Sequence, residues 1–269
     1  MNNAKFGFIG VGNMGTALAR AVAKSVDGNE IILANRSSSK AETLAYELRC
    51  NSADNITVAA SCRFIFLGVK PQMLKDMLSG IAPVLAGRND RFILVSMAAG
   101  VSINRIKELA GGDYPVIRIM PNTHVSNGKG MIVYAVGNNV FEDDLFEFTS
   151  ALKCAGKIDR IDENLIDAAS AISGCGPAFV YMFAEALADG GVKCGLPRSK
   201  AIEYAAQTIL GSASLIQNSG KHVAQLKDEV CSPAGSTIEG VKALEDSGFR
   251  SAAFNAVVAA YKRTKELGK

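Results

Sequence analysis

Hydrophobic and polar positions change their pattern once along the chain, near residue 160. Before that point, short unbroken apolar runs alternate with stretches in which apolar residues recur every three or four positions; after it, only the second pattern is present. Unbroken apolar runs of this length are typical of strands that are buried on both faces of a parallel sheet. The chain is therefore expected to be α/β over residues 1–160 and all-helical over residues 161–269.

Strands and helices alternate in the first domain, which predicts a mostly parallel sheet with helices on both faces. We expect strands over residues 5–9, 30–35, 62–69, 92–96, 116–120 and 131–136. We expect helices over residues 16–23, 36–48, 72–85, 103–109 and 145–153. In the second domain, glycine and proline residues separate helices that we expect over residues 162–172, 178–193, 198–218, 221–229, 237–247 and 249–267.

A glycine-rich turn with the spacing G-x-G-x-x-G joins the first strand to the first helix. Gly10 permits the tight turn, Gly12 lets the backbone approach a pyrophosphate, and Gly15 lets helix and strand pack closely. The helix N-terminus, with its unpaired N–H groups and positive dipole end, then faces the phosphates. A glycine turn in an ordinary α/β unit is the alternative, but the strand–turn–helix context favours a Rossmann-type dinucleotide-binding domain.

The end of the second strand distinguishes the two nicotinamide cofactors. An Asp or Glu there binds the ribose 2′-hydroxyl of NAD, whereas an Arg nearby accommodates the 2′-phosphate of NADP. This strand ends in Asn35 and Arg36, with no acidic residue. Arg36 can donate two N–H groups to phosphate oxygens, so we expect NADPH, with NADH as the second choice. The alternative is that Arg36 is only a solvated residue at the start of a helix.

Three further strand ends carry small or conformationally fixed residues, over 68–71, 96–100 and 120–123. Ligands of open α/β sheets bind beyond the carboxyl ends of the strands. Lys70 could pair with the pyrophosphate or amide region, and Pro71 fixes the direction of the chain. Ala98 and Ala99 leave space for a nicotinamide ring. Each of these turns alone would be an ordinary strand–helix connection, but together with the glycine loop they favour a cofactor cleft.

Two loops stand out in the helical domain, over residues 173–177 and 232–237. The second leads into a helix, with Thr237 near its N-terminus, where backbone N–H groups can bind a carboxylate. Plain capping of the helix by Ser or Thr is the alternative. The helices of this domain are rich in Ala and Gly, which permits close approach of helices, and a dimer would cover their apolar faces.

Composition argues against several other functions. The net charge is only +3 and no run of basic residues is present, so we expect no nucleic-acid partner. The six cysteines form no C-x-x-C pair, and the two histidines, His124 and His222, lie in neither a zinc-binding nor a Ser/His/Asp pattern. We therefore expect no metal site. Because we find no signal peptide and no apolar run of about 20 residues, we expect a cytoplasmic protein without a membrane span.

The motifs together resemble those of the pyrroline-5-carboxylate reductase family over essentially the full chain. The stretches that match are residues 7–15, 69–71, 96–101, 120–123, 172–178, 188–192, 195–197, 226–228 and 232–237. The N-terminal stretches occur in many dehydrogenases, whereas the C-terminal stretches are much narrower. The resemblance implies reduction of 1-pyrroline-5-carboxylate to L-proline with NAD(P)H, in a dimer that is interleaved through the helical domains and often assembled further into decamers.

The resemblance also implies roles for individual residues. The pyrophosphate would be held by Ile9, Gly10, Val11, Gly12, Asn13 and Met14. The adenosine end would be bound by Asn35 and Arg36, and part of the ribose region by Asn55. The dinucleotide cleft would be lined by Val69, Lys70, Pro71, Met97, Ala98 and Ala99. Ser236 and Thr237 would bind the substrate carboxylate or ring nitrogen, with Glu163 close by. Since a protonated cyclic imine is already a strong hydride acceptor, positioning dominates, and Thr237 could help to relay the proton.

Three residues depart from the family pattern, namely Cys175 in place of Ser, Phe179 in place of Tyr and His124 in place of Pro. Two alternatives remain open. One is an imine or ketone reductase of the β-hydroxyacid dehydrogenase type, which uses a lysine in the segment corresponding to residues 162–178, where this chain has none. The other is a non-catalytic NADP-binding regulator.

Overall fold

A computed structural model describes residues 4–267, which fall into two compact units. The first comprises the chain up to Cys175 together with the residues from Ala260 onward, and the second comprises Gly176–Ala259. The helix that follows residue 160 packs on the sheet of the first unit. For this reason the boundary between the two structural units lies later in the chain than residue 160. The functional domain boundary at residue 160 stays a prediction.

The first unit is built on one eight-stranded sheet in the order β3-β2-β1-β4-β5-β6-β7-β8. Its strands are β1 (Phe6–Ile9), β2 (Ile31–Ala34), β3 (Asn51–Ser52), β4 (Phe64–Leu67), β5 (Ile93–Ser96), β6 (Val116–Pro121), β7 (Gly130–Val136) and β8 (Gly156–Arg160). All neighbouring pairs are parallel except β6 and β7, which are antiparallel. The Rossmann-like sheet expected from the sequence is confirmed, and β3 and β8 add to the predicted strands.

The helices of the first unit connect the strands in alternation. They are α1 (Asn13–Ala23), α2 (Ser38–Leu48), α3 (Asn55–Ser61), α4 (Pro71–Ala86), α5 (Ile103–Ala110), α6 (Glu142–Ala151) and α7 (Ile166–Ser173). Short 3₁₀ turns cover Gly28–Glu30, Thr123–Asn127 and Glu163–Leu165. The helix α3 was not predicted.

Side chains from the buried strands pack on both faces of the sheet. On one face the parallel register pairs Phe6 with Phe64 and Phe8 with Phe66, and their rings stack with centroids 5.4 and 4.4 Å apart. Phe148 of α6 lies 6.4 Å from the ring of Phe66 and completes this aromatic cluster. Aromatic pairs at such distances add about 1 kcal/mol each to the free energy of burial. The cluster therefore joins β1, β4 and α6.

The second unit is all-helical, as the sequence predicts. Its helices are α8 (Gly176–Lys193), α9 (Arg198–Ser219), α10 (Val223–Glu229), α11 (Ser236–Asp246) and α12 (Phe249–Leu267), the last of which ends in the first unit. Small residues form the contact of α8 with α9, where a Cβ atom added to Gly191 would lie 3.3 Å from the Cβ of Ala201. Many large apolar side chains of this unit are exposed, among them Met182, Leu210 and Phe254.

One helical stretch, Glu163–Lys193, is long and apolar enough to cross a membrane by length and composition, with a mean hydropathy of 1.3. It contains no unbroken apolar run of about 20 residues, so the expectation of no membrane span did not take it into account. A single stretch of this kind is weak evidence for a membrane span, because helices that pack against other protein surfaces have the same composition.

A buried carboxylate ties three segments of the first unit together. Asp144, which is 1% exposed, accepts hydrogen bonds from Arg63 Nη2 at 2.9 Å, from Arg91 Nη2 at 2.5 Å and from the backbone N–H of Phe141 at 2.8 Å. Burial alone would raise the pKa of this carboxyl, but the hydrogen bonds from Arg91, Phe141 and Arg63 outweigh it and lower the pKa to about 2. Asp144 therefore stays ionised and joins the start of α6 to the strands β4 and β5.

We predict that Asp144→Asn destabilises the protein by about 2 kcal/mol at neutral pH, because the pKa of Asp144 lies about two units below the value of roughly 3.9 in an unfolded chain. The folded-state pKa is depressed, so this stabilisation is complete above about pH 4 and is lost as the pH falls towards 2. Urea unfolding at pH 7 and pH 3 measures both effects. The exposed neighbour Asp143→Asn is the control; equal unfolding free energies for the two variants would contradict the prediction.

Candidate active site

The carboxyl ends of β1, β2, β4, β5 and β6 lie at one edge of the sheet because these strands are parallel. The loops that follow them start at Gly10, Asn35, Gly68, Met97 and Asn122. This edge therefore brings together the turns in which the sequence placed the dinucleotide site.

Three glycines of this edge pack against one another through their backbones. Gly10 has a φ of +99°, a conformation that favours glycine. A Cβ atom on Gly15 would lie 2.1 Å from the carbonyl oxygen of Gly10, and one on Gly68 would lie 2.2 Å from the same oxygen. The roles predicted for Gly10 in the turn and for Gly15 in close packing both match this geometry. Gly68 is a third member of the contact.

The first turn of α1 is open towards the same edge. Its N-cap residue is Gly12, no side chain caps it, and its first turn contains no acidic residue. A Cβ atom on Gly12 would meet no atom within 4 Å, so the packing of the protein does not require glycine there. An uncapped helix start beside an accessible backbone is suited to a phosphate group. The residues that the cofactor would need are thus present at this helix start.

Asn35 connects the end of β2 to the glycine turn. Its Oδ1 accepts a hydrogen bond from the backbone N–H of Val11 at 3.2 Å, and its Nδ2 donates to the carbonyl of Ser37 at 3.2 Å. The side chain therefore fixes the turn, a role that the sequence did not reveal. Val11 is fully buried, whereas Asn13 is exposed at the start of α1.

Arg36 lies at the same edge and is exposed, and it is followed by the exposed Ser37 and Ser39, whose hydroxyl oxygens are 3.1 Å apart. Among residues 4–267, Arg36 makes no ion pair, so its guanidinium is available to an anion. Asn55, at the start of α3, follows β3 and is half-buried. That these residues bind the adenosine end of the cofactor stays a prediction.

The loops after β4 and β5 complete the edge. Lys70 is exposed as the N-cap residue of α4, and Pro71 is the first residue of that helix. In the following loop Ala98 is buried, while Met97 and Ala99 are half-buried. That these small side chains leave space for a nicotinamide ring stays a prediction.

Glu163 belongs to the first unit and is already engaged. Its Oε1 accepts a hydrogen bond from the backbone N–H of Ile103 at 2.6 Å and lies 3.5 Å from Arg118 Nη1. Arg118 also donates to Asp167 Oδ1 at 2.5 Å. Neither Arg118 nor Asp167 was predicted from the sequence. A single arginine inside an apolar strand could have indicated that Arg118 has a buried acidic partner.

Ser236 and Thr237, the other two residues predicted at the substrate site, lie in the second unit. Ser236 and Thr237 are the first two residues of α11, and both are exposed. The N-cap residue is Gly235, so no side chain caps this helix, and the alternative of plain Ser or Thr capping is wrong. In the described part of the chain, neither hydroxyl makes a hydrogen bond. The helix start and both hydroxyls are therefore available to a carboxylate or a ring nitrogen.

The turn before α11 is held in a strained shape. Ala234 has a φ of +58°, which is uncommon for a residue with a side chain, and a Cβ atom on Gly235 would lie 2.3 Å from Ser232 Oγ. Strain of this kind persists only where the surroundings impose it, and it is frequent at ligand sites.

Of the three departures from the family pattern, Cys175 lies in the turn between α7 and α8, Phe179 on α8, and His124 in the 3₁₀ turn after β6.

Comparison with known proteins identifies the family. A family model for pyrroline-5-carboxylate reductase dimerisation matches residues 163–267, and one described as NADP oxidoreductase, coenzyme F420-dependent, matches residues 5–100. The chain is 43% identical over 269 residues to pyrroline-5-carboxylate reductase of Synechocystis sp., covering 98% of both chains, and 41% identical to that of Pisum sativum, covering 97% of this chain and 95% of the relative.

A solved structure agrees. The crystal structure of Plasmodium falciparum pyrroline carboxylate reductase with NADP bound superimposes with a TM-score of 0.89 at 35% identity and covers 100% of both chains. A Rossmann-like unit whose residues 5–100 match an NADP oxidoreductase model, a helical region that matches a dimerisation domain and full-length identity above 40% lead to one conclusion: this chain belongs to the pyrroline-5-carboxylate reductase family.

Proposed function

We propose that this chain reduces 1-pyrroline-5-carboxylate to L-proline with NADPH, the last step of proline biosynthesis. The observation that carries the proposal is its 43% identity to a pyrroline-5-carboxylate reductase over 98% of both chains. The geometry agrees, because the sheet edge offers a dinucleotide cradle and α11 offers an uncapped helix start for an anionic substrate.

NADPH is proposed over NADH from the charges at the adenosine end. No carboxylate directly follows β2, so no negative charge there would repel a 2′-phosphate. Arg36 is exposed, and its guanidinium N–H groups can donate hydrogen bonds to phosphate oxygens. The relative from Plasmodium falciparum was crystallised with NADP. We propose that Arg36 and its neighbouring serines bind the 2′-phosphate.

The remaining cofactor residues follow from the loops of the edge. The residues proposed to line the cleft are Ile9, Gly10, Val11, Gly12, Asn13, Met14, Asn35, Asn55, Val69, Lys70, Pro71, Met97, Ala98 and Ala99. Bound NADPH supplies the hydride. The protein contributes mainly a fixed position for the two reactants, which suits a reaction that needs neither a nucleophile nor a metal.

For the substrate, we propose that the first N–H groups of α11 and the Ser236 hydroxyl bind the carboxylate. The Thr237 hydroxyl donates a hydrogen bond to the ring nitrogen and takes part in its proton transfer. Support comes from the uncapped start of α11 and from the two exposed hydroxyls, which have no partner among the described residues.

A homodimer is proposed from the second unit. It exposes large apolar side chains on several helices, including Met182, Leu210 and Phe254, and the match to a dimerisation domain covers residues 163–267. A second copy of the chain would bury these faces, and dimers would assemble further into a decamer.

We propose a cytoplasmic protein that binds neither nucleic acid nor membrane. The β-hydroxyacid dehydrogenase alternative is not favoured, because residues 162–178 contain no lysine.

Oxidation of the reduced nicotinamide, followed by its absorbance with and without 1-pyrroline-5-carboxylate, tests the reaction. We expect loss of absorbance only when the substrate is present. Binding of NADPH without any substrate-dependent oxidation would support a non-catalytic regulator instead.

We predict that Gly12→Ala weakens NADPH binding by about tenfold or more while the melting temperature stays nearly unchanged. The added Cβ meets no protein atom, but it would stand where the pyrophosphate approaches the backbone. Calorimetric titration and thermal unfolding measure the two effects. Gly15→Ala is the contrasting variant, because its Cβ would collide with the Gly10 carbonyl and lower stability as well. Unaltered NADPH affinity in Gly12→Ala would place the phosphates elsewhere.

We predict that Arg36→Asp lowers the ratio of kcat/KM for NADPH to that for NADH by about a hundredfold, since it replaces an attractive charge by a repulsive one beside the 2′-phosphate. Lys24→Asp makes the same change in net charge after the last turn of α1, at the other edge of the sheet, and should leave the ratio unchanged. The same ratio in wild type and Arg36→Asp would show that Arg36 does not bind the phosphate.

We predict that Thr237→Ala lowers kcat by about ten- to hundredfold while the Kd for NADPH changes less than about twofold, because only the hydrogen bond to the substrate is lost. Thr237→Ser keeps the hydroxyl and should recover most of the activity. Steady-state kinetics with separate NADPH titration give both quantities. Unchanged turnover in Thr237→Ala would remove this residue from the site.

A further inference from the structure

A charged cluster lies under the loop that joins β5 to α5. Arg118 of β6 is 3% exposed and contacts two carboxylates, Glu163 at 3.5 Å and Asp167 at 2.5 Å. Lys265 lies 3.5 Å from the second oxygen of Asp167. Arg118 Nε has no hydrogen-bond partner among the described residues. Burial of this guanidinium is thus offset by its two carboxylate partners, whose positions it fixes.

The loop over residues 97–102 is only weakly held by hydrogen bonds within itself. Its hydrogen bonds are long, since the N–H of Ala98 lies 3.4 Å from Ser96 Oγ and that of Val101 lies 3.4 Å from the carbonyl of Ala98. Gly100 has a φ of +75°. The loop is therefore held by the packing of Ala98 and Val101 on the core and by its two ends, rather than by hydrogen bonds of its own.

Both ends of the loop meet the charged cluster. At the start, Ser96 pairs in register with Arg118 across the β5–β6 ladder. At the end, the N–H of Ile103 donates to Glu163 at 2.6 Å, a shorter hydrogen bond than the two within the loop. A cavity of about 340 Å³, lined by Gly100, Ser102 and the cluster, lies beside the loop. The loop would have room to shift if the bond to Ile103 were lost.

We infer that Glu163 is a positioning residue, which holds the loop over residues 97–102 in the shape that receives the nicotinamide cofactor. Its function is to accept the hydrogen bond from Ile103, and Arg118 keeps the carboxylate in place. The resemblance to the family implies that Glu163 lies close to the substrate; the contacts in the structure add that its Oε1 accepts a hydrogen bond from the end of the loop. The inference rests on the proposed function in one respect, namely that Met97, Ala98 and Ala99 line the cofactor cleft.

Two variants distinguish the effect of the length of the Glu163 side chain from the effect of its charge. Glu163→Gln keeps an oxygen that can accept from Ile103 but removes the charge, whereas Glu163→Asp keeps the charge but is one methylene too short to reach Ile103. We expect Glu163→Asp to weaken NADPH binding by roughly ten- to hundredfold. Glu163→Gln should stay within about threefold of wild type, and the KM for 1-pyrroline-5-carboxylate should change less than about twofold in both. Glu142→Gln, which alters an exposed ion pair with Arg160, is the control.

Calorimetric titration of NADPH is the primary measurement, and hydrogen exchange of residues 97–103 is the second. Exchange should accelerate in Glu163→Asp alone, which a general loss of stability would not produce. Equal NADPH affinities in the Asp and Gln variants, or a raised KM for the substrate with unchanged NADPH affinity, would overturn the inference. Because NADPH binding is measured without substrate, a wild-type protein that fails to oxidise NADPH with 1-pyrroline-5-carboxylate would refute the proposed function and leave this measurement interpretable.

Discussion

The packing of the first unit depends on a close contact around the carbonyl oxygen of Gly10. This carbonyl lies between α1 and the end of β4, so close that a Cβ atom on Gly15 or Gly68 would stand 2.1 or 2.2 Å from its oxygen. Two unrelated parts of the chain must therefore be glycine for the same reason. This contact brings the start of α1 over the sheet edge, where Gly12 is half-buried and a Cβ atom on it would meet no atom within 4 Å. The same constraint on packing thus creates the space for a phosphate.

Helix starts in this protein fall into two groups. The N-terminal turns of α3 and α5 are closed by Asp54 and Ser102, whose side chains accept from backbone N–H groups. Those of α1 and α11 begin at glycine and have no side-chain cap. A helix start without a cap loses about 1 kcal/mol of stability, unless an anion takes the place of the cap. The starts of α2, α4, α7 and α9 also lack a side-chain cap. What distinguishes α1 and α11 is therefore the glycine at the N-cap, which leaves the backbone N–H groups uncovered where the proposed function needs a pyrophosphate and a carboxylate.

Much of the fold could be predicted because its signals are local. Unbroken apolar runs identified six strands, and the positions of glycine and proline identified every helix of the second unit to within about three residues. The strand β3 was missed because it is only two polar residues long, and β8 because only one of its side chains is apolar and half its residues are exposed. The charged clusters around Asp144 and Arg118 could not be predicted, since their ion pairs join residues 45 to 98 positions apart. Motifs revealed which residues meet a ligand, but not which residues hold them in position.

The second unit raises a different question, because it buries very little of itself. Of its residues, all of which are described, only Pro177, Ala188, Ala201 and Ala205 are buried, and all four are small. Burial of large apolar side chains is the main source of folding free energy, and a unit of this size with so few is not expected to be stable alone. In the proposed dimer, folding and association of these helices would be one process. The strained turn before Thr237 would then owe its shape to contacts that form only in the assembly. Substrate binding would in this way depend on the partner, whereas the residues proposed for the cofactor all lie in the first unit of one chain.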